Sequence, residues 1–181
     1  MREGLGVLQA IEGALLQLYV RPAAAGESTD RAAIWTALEP VLRAGETLAL
    51  PRDWSRNSAL AYWFSPGHEV FVAVDDANTV VGTYYLRANQ QGGGAHVANA
   101  AYVTMPKLGG RGVARMMCEH SIQRARQRGF RGMQFNFVVS TNAPAVHLWE
   151  SMHFEIVGRL PQAFSHPQRG YVDVFVMYRP V

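Results

Sequence analysis

Apolar and polar positions change their period several times along the chain, and each change marks an element. In LLQLYVRP, residues 15 to 22, Leu16, Leu18 and Val20 alternate with Gln17, Tyr19 and Arg21 until Pro22, the two-residue period of a strand. Residues 1 to 13 ahead of it are a lead-in whose pattern is compatible with a short helix. In STDRAAIWTALEPVLRAG the period lengthens: Ile34, Leu38, Val41 and Leu42 fall at helical spacing between a Ser28, Thr29 or Asp30 cap and Gly45. Pro40 inside that run is expected to kink or split the helix. RDWSRNSALAYWFSPG reads as a shorter helix, and EVFVAVDDANTVVGTYYLRAN as two strands joined by an Asp/Asn-rich turn, a hairpin. After a loose loop at Gly92 to Gly94, AHVANAAYVTM is a strand. A helix of about 18 residues follows, with Ala114, Met117, Cys118, Ser121, Ile122 and Ala125 on one stripe and Arg115, Glu119 and Arg126 on another. GMQFNFVV is a strand, TNAPAVHLWESM a helix with Ala145, Leu148, Trp149 and Met152 inward, and FEIVGRL and YVDVFVMYR are two last strands. This order predicts a mixed α/β sheet with helices on both faces.

Composition adjusts this picture little. The 181 residues are 49% hydrophobic and 17% charged, with no repeat or low-complexity linker, which fits a single globular domain over 1–181 with 1–13 as an N-terminal extension. A net charge of +3, with Lys107 the only lysine, is too mild for a nucleic-acid stripe. The cluster RARQRGFR at 124 to 131 reads as a solvated helix end facing its own carbonyls. Cys118, the single cysteine, fits a reducing compartment, so a cytoplasmic protein is expected. Glu12 interrupts the early apolar run, no cleavage site follows, and no segment is apolar enough to span a membrane.

The informative stretch is MPKLGGRGVARMM, residues 105 to 117. Gly109, Gly110 and Gly112 stand just where a helix must begin, although glycine weakens a first turn. A glycine loop ending at a helix start presents backbone N–H groups without partners, backed by the positive end of the helix dipole, and suits a phosphate. An ordinary flexible turn is the plainer reading of the same glycines. No Lys-Ser or Lys-Thr follows the last glycine and the spacing is not G-x-G-x-x-G, so the two common nucleotide loops are excluded.

VTMPKLGGRGVARMMCEHSIQRARQRGF followed by FNFVVSTNAPAVHLWESMHFEIVGRL resembles the acetyl-CoA-binding core of the GNAT family, the GCN5-related N-acetyltransferases. The resemblance covers about residues 69 to 160 and implies the GNAT fold: a mixed central sheet of about seven strands flanked by about four helices. It also implies acetyl-CoA as cofactor. Gly112 and Ala114 match the last two positions of the family's Q/R-x-x-G-x-G/A pattern, whereas Gly109 stands where Gln or Arg is usual and Arg111 supplies the charge instead. The resemblance assigns the coenzyme A pyrophosphate to the N–H groups of Gly110, Arg111, Gly112, Val113 and Ala114. It assigns the pantetheine arm to Val103, Thr104 and Met105, with Asn142 helping to hold it. Met105 as plain core and Asn142 as only a helix cap are the alternatives.

Acetyl transfer to an amine needs a neutral amine, donors for an oxyanion and a proton for the departing thiolate. The family resemblance places the oxyanion donor at the backbone N–H near Val103. Many members carry a tyrosine as general acid in L-Y-E-x-x-G-F, but this chain reads LWESMHF, and the indole of Trp149 is no acid at ordinary pH. His153 replaces the usual glycine, a position that strains a side chain if its φ is positive. Fungal GNAT enzymes that acetylate proline analogues such as azetidine-2-carboxylate share the tryptophan, an H-x-x-N-A stretch and an F-N before T-N. This chain has HVANAAYV, FNFVVSTN and HLWESMHF. That similarity makes Asn99 and Asn136 substrate contacts, with Asn99 orienting the amine or the acetyl carbonyl. The alternative is that both satisfy local backbone groups at a bulge.

His96, His147 and His153 have no metal-ligand spacing, so no metal is expected, and His147 falls on the outward side of its helix. Asp75 and Asp76 belong to a turn. The resulting expectation is an acetyl-CoA-dependent N-acetyltransferase of a small amine, an amino acid or proline-like imino acid, acting by direct attack on the thioester. Its alternatives are a non-catalytic coenzyme A-binding module and an N-acetyltransferase of a drug-like amine or a protein N-terminus. PQAFSHPQRG reads as a long connection over the cleft. The apolar last strand YVDVFVMY reads as an edge that would pair across a homodimer.

Overall fold

The computed structural model describes residues 7–11, 14–24, 26, 28–106 and 111–181. Eight strands form one sheet in the order β1-β2-β3-β4-β5-β6-β8-β7. They are β1 (Val7–Ile11), β2 (Ala14–Pro22), β3 (Glu69–Val74), β4 (Val80–Ala88), β5 (Val97–Thr104), β6 (Gly132–Val139), β7 (Glu155–His166) and β8 (Gly170–Pro180). Four α-helices are interleaved: α1 (Thr29–Ala44), α2 (Arg56–Trp63), α3 (Val113–Gln127) and α4 (Ala143–Ser151). All neighbours pair antiparallel except β5 and β6, which are parallel.

The central strands are apolar on successive residues because both faces are covered. Val72 and Val74 face a cluster with Ile34, Leu38, Leu60 and Trp63 of α1 and α2. Phe71 and Ala73, one residue out of phase, join the opposite cluster with Met117 and Ile122 of α3 and Trp149 of α4. The mixed sheet and the four helices match expectation.

Several details do not. Within the ambiguous lead-in whose pattern is compatible with a short helix, Val7–Ile11 is a strand that pairs antiparallel with β2, Val7 opposite Leu18 and Ile11 opposite Ala14; residues 1–6, 12 and 13 lie outside the described residues. Pairing with an existing strand outweighs the weak helical pattern there. Pro40 does not split α1, which runs unbroken through 16 residues, since Ile34, Leu38 and Leu42 are buried on both sides of it. β8 is not an edge: it lies between β6 and β7, and β7 is the edge. PQAFSHPQRG is not an irregular connection either, because β7 continues to His166 and turns directly into β8 at Gly170. A register shift between Leu160 and Phe164, with Gln162 at φ 51°, absorbs Pro161 inside the strand.

Candidate active site

The cleft arises from a failure of pairing. β5 and β6 pair only at Val97 with Gly132 and Ala98 with Met133, although both strands continue beyond those residues. From there they separate and leave a cavity of about 270 Å³ between them. β6 also carries an extra residue against β8: Phe135 opposes Met177 and Val138 opposes Phe175, so Asn136 and Phe137 together face one residue. This is a β-bulge, and it directs β6 away from β5.

Hydrogen bonds decide which backbone groups of β5 face the gap. Asn89 N–H donates to Val97 O at 2.7 Å and Met105 N–H donates to Val81 O at 2.9 Å, with no register shift between β4 and β5. The odd-numbered residues of β5 therefore direct N–H and C=O toward β4, because an antiparallel ladder alternates these directions. Val103, opposite Thr83, is one of them. Its N–H belongs to the ladder with β4 and does not face the gap. The N–H groups turned to the gap are those of Ala100, Tyr102 and Thr104. The Val103 side chain is buried beneath α1 and α2, and Met105 packs against the same cluster.

Asn99 stands at the fork. Its Nδ2 donates to the Gln134 carbonyl at 2.8 Å, tying β5 to β6 one residue past their last backbone pair. A carbonyl can only accept, so the amide is fixed with Oδ1 turned the other way, where Arg87 Nε donates to it at 3.5 Å. Asn136 is held at both ends: its Nδ2 donates to Asn89 Oδ1 at 2.6 Å and its Oδ1 accepts from Gln134 Nε2 at 2.8 Å. Both asparagines line the cavity, as does Asn142. Asn142 also caps α4, its Oδ1 accepting from Ala145 N–H.

The start of α3 differs from the other helices. Ser28, Ser55 and Asn142 each cap their helix by accepting a backbone N–H, whereas Gly112 offers no side chain to cap α3. The first intrahelical bond runs from Met116 N–H to Gly112 O, so the N–H groups of Val113, Ala114 and Arg115 precede it. Gly112 has φ 78°, a left-handed conformation that explains glycine at this position. Arg111 is exposed, Val113 is buried and Ala114 half-buried. Gly110 and Gly109 lie outside the described residues.

Trp149 lines the cavity and packs its ring 5.1 Å from Tyr102 and 4.9 Å from Phe135. It closes an apolar wall and offers no acid. Tyr102 donates to or accepts from Ser121 Oγ at 2.7 Å, and burial raises its pKa well above the phenolic range. Tyr85, whose hydroxyl is 3.4 Å from that of Tyr62, is raised by burial as well. Neither phenol is a base near neutrality. His153 has the positive φ, 63°, that the sequence motif suggested, and His147 is exposed.

Sequence reasoning missed Arg87, Asn89, Gln134 and the Tyr62–Tyr85 pair. It also missed His68, which stacks 4.1 Å from the Tyr85 ring. His68 Nδ1 lies 3.1 Å from the Trp63 carbonyl and must carry the proton there, and burial lowers its pKa, so the ring is neutral. Arginine within the strand run YYLRA was the one signal available in advance. Among the described residues no group of three or more His, Cys, Asp or Glu could hold a metal, and no helix is long and apolar enough to cross a membrane.

A sequence model described as the acetyltransferase (GNAT) family matches residues 31–154. The N-acetyltransferase aca1 of Schizosaccharomyces pombe is 25% identical over 148 residues, 73% of this chain and 71% of its own length. The structure of a GCN5-related N-acetyltransferase from Kribbella flavida shares 40% identity and a TM-score of 0.84, covering 91% of this chain and 98% of that one. A phosphinothricin acetyltransferase from Sinorhizobium meliloti, solved with acetyl-CoA, has the same fold at 19% identity, with a TM-score of 0.78 and coverage of 91% and 88%.

Proposed function

Because this chain belongs to the acetyltransferase (GNAT) family, we propose that it transfers acetyl from acetyl-CoA to the nitrogen of a small amine, an amino acid or proline-like imino acid. The observation that carries the reading is the helix start without a side-chain cap at Gly112, on the helix that comes next in the chain after the strand bordering the open fork. Anionic oxygens suit the N–H groups of Val113, Ala114 and Arg115, with the exposed Arg111 two residues ahead of the helix. Bound acetyl-CoA supplies an activated thioester.

The remaining roles belong to this chain. The gap-facing N–H and C=O groups of Tyr102 and Thr104 can pair with an extended amide arm as a missing strand would, and one of these N–H groups is aimed at a developing oxyanion. Asn99 Oδ1 accepts from the acceptor nitrogen and orients its lone pair, while Asn136 borders the same space. Asn142 sits at the far wall, where it can reach the arm. Among the described residues no carboxylate or imidazole lines the cavity, so this chain leaves the proton of the amine, and the proton a leaving thiolate would need, to water.

The test is acetyl-CoA consumption with thiol release across amino acids, imino acids, aminoglycosides and peptide N-termini, with coenzyme A binding measured in parallel. Turnover on an amino or imino acid is expected. Coenzyme A binding with no turnover on any amine would replace this reading with the non-catalytic module.

A further inference from the structure

Among the described residues that line the cavity, Arg87 carries the sole formal charge. It stands directly opposite Asn99 across the β4–β5 ladder, half-buried, and spends only its Nε on the weak 3.5 Å bond to Asn99 Oδ1. No carboxylate among the described residues pairs with it, in contrast to Arg21, Arg124, Arg128 and Arg159, each of which has one. Its charge is nonetheless felt locally, disfavouring the protonated form of His68 and favouring ionisation of Tyr85. An arginine held at the wall of a cavity with both Nη groups uncommitted presents a planar fork that matches a carboxylate.

We propose that Arg87 anchors a carboxylate of the acceptor, making the acceptor a small α-amino or α-imino acid rather than a simple amine. The identity of the ligand rests on the acetyl-transfer reading above. The cavity, about 270 Å³, is below the usual range for drug-sized ligands, about 300–1,000 Å³, and suits a small acceptor. With the carboxylate on Arg87, the α-nitrogen is brought toward Asn99 Oδ1, since the two side chains are cross-strand neighbours. The guanidinium charge also disfavours the ammonium form of that nitrogen, so one residue both selects the substrate and helps prepare its nucleophile.

Two readouts test this. First, the twenty standard amino acids and azetidine-2-carboxylate, each with its decarboxylated amine, are titrated calorimetrically into the coenzyme A complex of the wild type, Arg87→Met and Arg87→Lys. At least one acid is expected to bind on the order of 100-fold more tightly than its amine, the loss of two charge-assisted hydrogen bonds. Arg87→Met should erase that difference and Arg87→Lys restore part of it, with coenzyme A affinity unchanged in both. Equal binding of acids and amines, an acid preference that survives in Arg87→Met, or no binding of any acid would overturn the proposal. Second, turnover is measured on the same pairs. Turnover with no preference for the acids would overturn the anchor and leave acetyl transfer standing. An intact, Arg87-dependent acid preference in binding without turnover would sink the transferase reading and leave the carboxylate site.

Discussion

At the scale of single residues, the site depends on a few groups whose alternatives are already used up. Asn99 has its Nδ2 committed to Gln134 O, so only Oδ1 can serve the acceptor. Asn99→Ala should lower turnover at least tenfold, the cost of one lost hydrogen bond to a reacting group, while coenzyme A affinity measured by calorimetry stays within twofold. Equal losses in both would make Asn99 only a tie between strands. Trp149 is 8% exposed and wedged among Tyr102, Phe135 and Phe154. Trp149→Phe should keep kcat within a few-fold because the indole is not the acid, whereas Trp149→Ala should cost about 3–5 kcal/mol in denaturant unfolding. Sequence reading reached Asn99, Asn136 and Trp149 through motif positions. It could not tell which N–H groups near Val103 face the gap, because that is decided by the partner strand, here through the Thr83–Val103 pairing. Arg87 stayed hidden for a related reason, since an arginine at a strand end is ordinary until the cavity beside it is known.

At the scale of elements, the start of α3 and the join between β2 and α1 make separate predictions. Gly112→Ala imposes a side chain at φ 78° and should cost about 1 kcal/mol of stability while weakening coenzyme A binding about tenfold, as read by thermal unfolding and calorimetry. Arg21 donates to both carboxylate oxygens of Asp30 at 2.7 and 2.9 Å, and Ala24 N–H donates to the same carboxylate at 2.8 Å. The hydrogen bonds from Arg21 hold the Asp30 carboxyl below its ordinary range, so its stabilisation is complete above the usual carboxylate pKa and disappears as pH falls through the lower folded value. A double-mutant cycle of Arg21→Met and Asp30→Asn should give a coupling of about 1–3 kcal/mol at pH 7 and almost none at pH 2. The cap residues Ser28 and Gly45 were readable in sequence, since the chemistry of a helix end is local. The strand at Val7–Ile11 was not, because it exists only against a partner strand, and the bulge at Asn136, one of two readings the sequence left open, is decided by the register of β6 against β8.

At the scale of the whole molecule, pH and association are the properties to test. His120 Nδ1 lies 2.5 Å from the Tyr84 hydroxyl, and burial lowers the pKa of both His120 and His68. An unfolded chain takes up those protons first as pH drops below about 6.5, so stability should decline from pH 7.5 to 5.5. Thermal melts of wild type and of His120→Gln check this, and the variant should show the flatter dependence. Ile156, Val157 and Leu160 are exposed on the edge strand β7. If copies associate, this edge and not β8 carries the contact, and Val157→Lys should turn a dimeric mass in light scattering into a monomeric one; a monomeric wild type would end the idea.

The order of strands and helices from β2 onward, their caps, the glycine-marked helix start and the family were determined by the sequence alone, since each is encoded in neighbouring residues through period, backbone conformation or motif. Tertiary structure alone decided where β5 and β6 part, which N–H groups the parting exposes, which strand forms the edge and which charge faces the cavity. Those depend on how strands far apart in the chain meet, and a local pattern of side chains carries no record of the partner.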